Sequence, residues 1–141
     1  DKSPVLIACV KDAVRAFAAQ LKCATSQIVI GGRSMGGRMC TMAASDEVDP
    51  LHVLGIACIG YPLHPPKKPD KLRTEHFGNL HNPLLFVSGT RDEFGTPEEL
   101  ELAWKLLPKQ PTVQMIEKGR HELRGADAQV ADFVAQWLQN L

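Results

Sequence analysis

Leu6, Val10, Ala13, Phe17 and Leu21 recur at spacings of three and four, which predicts an amphipathic helix with these residues on its inner face. Ser3 and Pro4 stand where an N-cap and a first helical position are wanted. The short run Gln27, Ile28, Val29 and Ile30 follows and leads into Gly31 and Gly32. It shows no polar alternation, so it predicts a strand buried on both faces. From Gly36 to about Ser45 the residues are small or flexible, Met39, Cys40, Met42, Ala43 and Ala44 among them, as a helix packed closely on a sheet requires. Residues 53–59 form a second apolar run, closed by Gly60.

Five prolines, Pro62, Pro65, Pro66, Pro69 and Pro83, then mark a long loop, because proline fixes φ and withholds a ladder donor. Residues 84–88 predict a third buried strand ending in Gly89. Thr96, Pro97 and Glu99 make a helix start with a threonine cap, proline next and glutamate at the capping-box position; Leu100, Ala103, Trp104 and Leu107 supply its inner face. Residues 112–116 alternate, as an edge strand does. After a turn at Gly119, a last amphipathic helix carries Val130, Phe133, Val134, Trp137, Leu138 and Leu141. The alternation of helix and buried strand predicts a single α/β domain over residues 1–141, a layer sandwich with a parallel sheet.

The 141 residues suffice for one real core. Sixteen basic and 16 acidic side chains cancel, and the basic ones are scattered, so electrostatic capture of nucleic acid or of an anionic membrane is not expected. No apolar run is long enough to span a bilayer, and the opening Asp1-Lys2-Ser3-Pro4 has no signal-peptide pattern. Cys9, Cys23, Cys40 and Cys58 each sit alone in apolar surroundings and form no metal-ligand spacing; buried free thiols in a reducing cytoplasm are expected.

Polar residues follow three of the strands. In open parallel sheets, sites gather beyond the strands' carboxyl ends. Gly32-Arg33-Ser34-Met35-Gly36 joins a strand to a helix, the G-x-S-x-G pattern that exposes a nucleophilic serine on a tight turn. Glycines two residues either side relieve collisions with a strained serine, and the helix N-terminus favours a developing anion. Alone the pentapeptide also fits a glycine turn that holds phosphate. Order separates the two readings: serine, acid and histidine follow successive strands in the sequence this chemistry requires. Asp92 follows Gly89-Thr90-Arg91, where it can orient an imidazole; Glu93 and Asp46 are rivals in less suitable places. His121, between the last strand and last helix, can take the serine proton and return it to a leaving group. His52, His64, His76 and His81 read instead as exposed loop residues. The Met35 backbone N–H, next after the nucleophile, is the expected oxyanion donor.

The segments 31–38 (GGRSMGGR), 61–66 (YPLHPP) and 89–96 (GTRDEFGT) together resemble the dienelactone-hydrolase-like branch of the α/β-hydrolases, a group of bacterial hydrolases related to testis-expressed protein 30 and to a subunit of a histone-acetylating complex. The resemblance spans nearly the whole chain. It implies a triad matched by Ser34, Asp92 and His121, and it implies that no cofactor is needed; the residue spacing itself predicts no metal site. Members of the group begin with further strands and a loop that supplies the second oxyanion donor. Residues 1–141 therefore correspond to the C-terminal part of that fold, N-terminally incomplete. Dienelactone hydrolases proper use a cysteine nucleophile where Ser34 stands, so a lactone substrate is not implied.

The reading that results is a serine hydrolase acting on a small-molecule carboxylic ester or related acyl substrate, with Tyr61 bordering the acyl pocket. Its rival is a non-catalytic interaction module on the same scaffold. With no strand before it, the strand over Gln27 to Ile30 is expected to expose an apolar edge, covered either by more of a longer chain or by a homodimer partner.

Overall fold

The structure, a computed structural model, describes residues 2–141. Four parallel strands form one sheet in the order β1 (Val29–Arg33), β2 (Gly55–Ile59), β3 (Leu84–Gly89) and β4 (Thr112–Ile116). Helices α1 (Ser3–Leu21), α2 (Met35–Ala44), α3 (Pro97–Trp104) and α4 (Asp127–Gln139) complete the α/β layers. Side chains alternate across the sheet, as period-two geometry demands. Ile30, Ile56, Cys58, Leu84 and Phe86 face one core with α1, α2 and α3, and Val29, Ala57, Leu85 and Val87 face a second core closed by α4. All pairings are parallel, so the carboxyl ends of the four strands open together at one end of the sheet.

The helix starts follow from local chemistry. Thr96 accepts from the Glu99 N–H at 3.2 Å, and Glu99 accepts from the Thr96 N–H at 2.9 Å, the reciprocal box read from the sequence. The α1 face differs from expectation. Ile7, Val10 and Val14 pack on the core and Ala18 is buried, whereas Phe17 and Leu21 are half exposed. The helix is apolar over a wide arc, and contact with α2 selects one stripe of it. The strand expected from Gln27 begins instead at Val29, because Thr25–Gln27 close a 3-10 turn. Nor is β1 buried on both faces; as the first strand of the sheet it is half exposed.

The four cysteines are free, but only Cys40 and Cys58 are buried. Cys9 is exposed, since a residue adjacent to the inward Val10 is turned about a quarter of a circle away. Burial pushes the Cys40 thiol up to about 11 and raises Cys58 as well, which leaves both unreactive.

Candidate active site

The end of β1 is shaped by close backbone approach. Ser34 has φ 47° and ψ −119°, a conformation that costs an L-residue of order 1–3 kcal/mol. The surrounding ladder enforces it: the Ser34 N–H donates to the Ile59 carbonyl at 2.8 Å, while the Arg38 N–H closes the first helical turn onto the Ser34 carbonyl at 3.2 Å. A Cβ on Gly32 would lie 2.7 Å from the Gly36 backbone, and one on Gly37 would lie 2.8 Å from the Gly32 carbonyl. A Cβ on Gly36 would meet nothing within 4 Å. The steric demand therefore falls on Gly32 and Gly37, not on the second glycine of the pentapeptide.

The other strand ends meet this elbow. A Cβ on Gly60, just past β2, would lie 2.9 Å from the His121 carbonyl, and one on Gly89 would overlap the Gly119 backbone. These contacts bring the loops after β2, β3 and β4 against one another. The Arg91 N–H donates to the Gly119 carbonyl at 2.8 Å, and Arg33 Nη2 donates to the Glu122 carbonyl at 2.8 Å. The His121 loop is thus tied to both the acid loop and the end of β1.

Ser34, Asp92 and His121 come together on this frame. Ser34 Oγ lies 2.7 Å from His121 Nε2. His121 Nδ1 lies 2.9 Å from one Asp92 oxygen and 3.0 Å from the other. With its proton on Nδ1, the imidazole donates to Asp92 and leaves Nε2 free to accept from the serine hydroxyl. Asp92 is 3 % exposed, and it also accepts from the Phe94 N–H at 2.8 Å. A carboxylate so held can offset charge on the ring without being solvated away. Phe94 stacks on the imidazole, with centroids 3.9 Å apart and planes 27° apart. Nothing in the sequence reading gave Phe94 a role; its place two residues beyond Asp92 is the signal that was there.

Met35 is the first residue of α2, so its N–H has no intrahelical acceptor and lies beside Ser34. Ser34 and His121 open onto a shallow depression of about 180 Å³ that Arg33 and Glu122 also line. A larger hollow of about 660 Å³ lies where β2 and β3 begin, lined by Leu51, Val53 and Pro83, at the opposite end of the sheet from this chemistry.

Three expectations are corrected. Tyr61 borders neither depression: its ring is 1 % exposed, packs edge-on against Phe86, and its hydroxyl donates to the Arg73 carbonyl at 2.8 Å. An aromatic ring beside a sheet gains more from burial than from lining a wet cleft. His64 is not an exposed loop residue; it is buried between the Pro65 carbonyl, 2.8 Å from Nδ1, and Glu99, 2.9 Å from Nε2. His76 is half-buried, with Nε2 2.9 Å from Thr41 Oγ1, and burial holds it down at about 4, so it stays neutral. His52 is exposed as expected, and so is His81.

A family model described as an alpha/beta hydrolase domain matches residues 1–139. Among solved structures, a monoacylglycerol lipase of Paleococcus ferrophilus is similar at 13% identity and TM-score 0.71, over 94% of this chain and 74% of the other. The esterase domain of a Rhodothermus marinus protein is similar at 15% identity and TM-score 0.72, over 95% and 68%. A dienelactone hydrolase of Anabaena variabilis is similar at 21% identity and TM-score 0.59, over 81% and 49%. At these identities the likeness is one of fold, and this chain spans only part of each.

Proposed function

The chain belongs to the alpha/beta hydrolase domain family, and from that premise we propose that it is a serine hydrolase acting on a carboxylic ester or related small acyl substrate. One observation carries the reading: an unbroken relay from Ser34 Oγ through His121 to a buried Asp92, at 2.7 and 2.9 Å. Ser34 attacks the acyl carbon while its proton passes to His121 Nε2. Asp92 holds the ring and stabilises the imidazolium. The Met35 N–H donates to the oxyanion, an interaction of about 2.7–4 kcal/mol in such sites. Collapse of the tetrahedral intermediate breaks the ester C–O bond, and the leaving alkoxide takes the proton back. Water, deprotonated by the same histidine, then releases the acid and restores Ser34.

The finer placement in the dienelactone-hydrolase-like branch rests on the three motifs around Ser34, Tyr61 and Asp92. The similar lipase and esterase folds favour ester chemistry over other acyl transfers. A fluorophosphonate probe tests the proposal. The expected result is covalent labelling of the wild-type chain and none of Ser34→Ala. A folded wild-type chain that stays unlabelled would overturn it and favour a non-catalytic interaction module.

A further inference from the structure

Behind the elbow, on the face where the proline-rich loop crosses α2, lies a polar cluster that the relay does not use. Arg38 stands one helical turn after Ser34, and helical side chains lean toward the N-terminus, so its guanidinium is carried back toward the serine end of α2. Its side chain is 17% exposed, and its one acidic partner among the described residues is Glu75, at 3.9 Å and largely in solvent. Arg38 Nε is buried with no hydrogen-bond partner. Arg73 comes from the loop and donates through Nη1 to the Pro62 carbonyl at 3.2 Å. Pro62 is two residues past Gly60, whose backbone abuts His121. Both guanidinium groups are thereby held at the open end of the sheet.

Several features make this a built site. Arg73 is held below the usual arginine range, first by burial and then by the neighbouring Arg38 charge, so two like charges share a partly dry region. Thr41 Oγ1 donates to the Arg38 carbonyl at 2.7 Å and therefore accepts from His76 Nε2–H at 2.9 Å. That leaves the buried His76 Nδ1 as an acceptor without a partner. The large majority of buried side-chain polar atoms find a partner, yet the Arg38 Nε donor stays unpaired beside an excess of positive charge, and it is a donor that a carboxylate can satisfy. The charge count is two arginines against one glutamate, with His76 neutral. A single negative charge balances it, and an arginine fork matches a carboxylate in shape.

We infer that Arg38 and Arg73 form a subsite for a monoanionic carboxylate on the acyl side of the substrate, so that the preferred substrates are half-esters of dicarboxylic acids. The identity of the substrate class rests on the hydrolase reading; the carboxylate site itself does not. Glu75 at the mouth competes with the incoming group and moderates its affinity.

The test is isothermal titration of the Ser34→Ala chain with monomethyl glutarate, a monoanionic half-ester that this variant does not turn over, against neutral methyl butyrate. The expected result is binding of the half-ester with little heat from the neutral ester, at least tenfold weaker in a chain that also carries Arg38→Met, and tighter with Glu75→Gln. The Glu75 variant keeps the test decisive should Arg38→Met prove unstable, because Glu75 lies at the surface. Equal binding of the two esters, or no response to either substitution, would overturn the subsite. On the wild-type chain, the ratio of kcat/KM for mono-4-nitrophenyl glutarate over 4-nitrophenyl butyrate is expected to fall at least tenfold with Arg38→Met. Failed fluorophosphonate labelling with intact half-ester binding would remove the hydrolase reading and leave the site standing; labelling without half-ester preference would do the reverse.

Discussion

At the scale of single residues, the elbow is decided by where a methyl group can fit. Gly37 sits 2.8 Å, at its ideal Cβ, from the Gly32 carbonyl and 3.4 Å from the Cys58 side chain. Gly37→Ala is therefore expected to destabilise the chain by about 1–3 kcal/mol through forced separation of α2 from the sheet. Gly36→Ala meets open space within a helix and is expected to stabilise by about 0.5–1 kcal/mol from lower unfolded-state entropy. Urea denaturation of both variants checks the contrast, and equal effects would mean that the elbow is not under this steric control. The meeting of Ser34, Asp92 and His121 was legible because each follows a strand, and parallel strands bring their ends together. Gly37 was not, since the demand comes from the Gly32 carbonyl and Cys58 across the sheet, and a pentapeptide pattern cannot see β2. Phe94 was missed for a similar reason: its stacking on His121 exists only once the loops after β3 and β4 meet. Asp92→Asn keeps the shape but hydrogen-bonds the wrong imidazole tautomer, and is expected to lower ester turnover roughly 10⁴-fold. Turnover within tenfold of wild type would place the orienting role elsewhere.

At the scale of elements, the proline-rich loop is tied to the start of α3 through His64 and Glu99. Glu99 is held below the usual carboxylate range, by the Thr96 N–H first and by His64 next. Burial draws His64 down, but the Pro65 carbonyl and Glu99 outweigh it and raise the group. A raised histidine adds stability that is full below its unfolded value and lost as pH rises through the folded one. A lowered carboxylate adds stability that is full above its unfolded value and lost as pH falls through the folded one. The joint contribution is fullest between about pH 4.3 and 6.5, the ordinary values of the two groups, and declines on both sides. The melting-temperature difference between wild type and His64→Gln is thus expected to peak in that window and to shrink toward pH 8; a difference independent of pH would rule out the pair as its source. Thr96→Ala should cost about 1 kcal/mol through the lost cap. The cap was readable from four consecutive residues. The histidine contact was not, because His64 and Glu99 lie 35 residues apart and proline density gives no sign of where a loop returns.

For the whole molecule, the sheet is satisfied at only part of its perimeter. The Ile28 carbonyl and the Ser34 N–H both bond to the β2 side, so by the alternation of a parallel ladder Val29, Gly31 and Arg33 turn their backbone groups outward. No strand among the described residues lies beyond them. On the α4 face this edge borders an apolar hollow of about 340 Å³, lined by Val29, Ala57, Ile59, Val134 and Leu138 among others. On the α1 side Val5, Phe17 and Leu21 are at least half exposed. An open edge with apolar surface on both flanks promotes pairing with another chain. The open edge was legible in the sequence, from a buried-type strand with no strand before it, while the exposed half of α1 was not, because helical periodicity reports an apolar arc and not which part of it finds a partner. We expect residues 1–141 on their own to self-associate through β1, with two copies related by a twofold axis and their edge strands antiparallel. Sedimentation equilibrium should then show a mass that rises with concentration. Leu138→Lys places a charge at the rim of the hollow, where the side chain is 44% exposed, and should weaken the association without opening the core. The surface variant Lys68→Glu, exposed in the proline-rich loop and outside both flanks of the edge, serves as the charge control and should not change it. A wild-type mass that stays at one chain at every concentration would show that the edge is closed by its own local twist and side chains, and that the apolar flanks alone do not drive pairing.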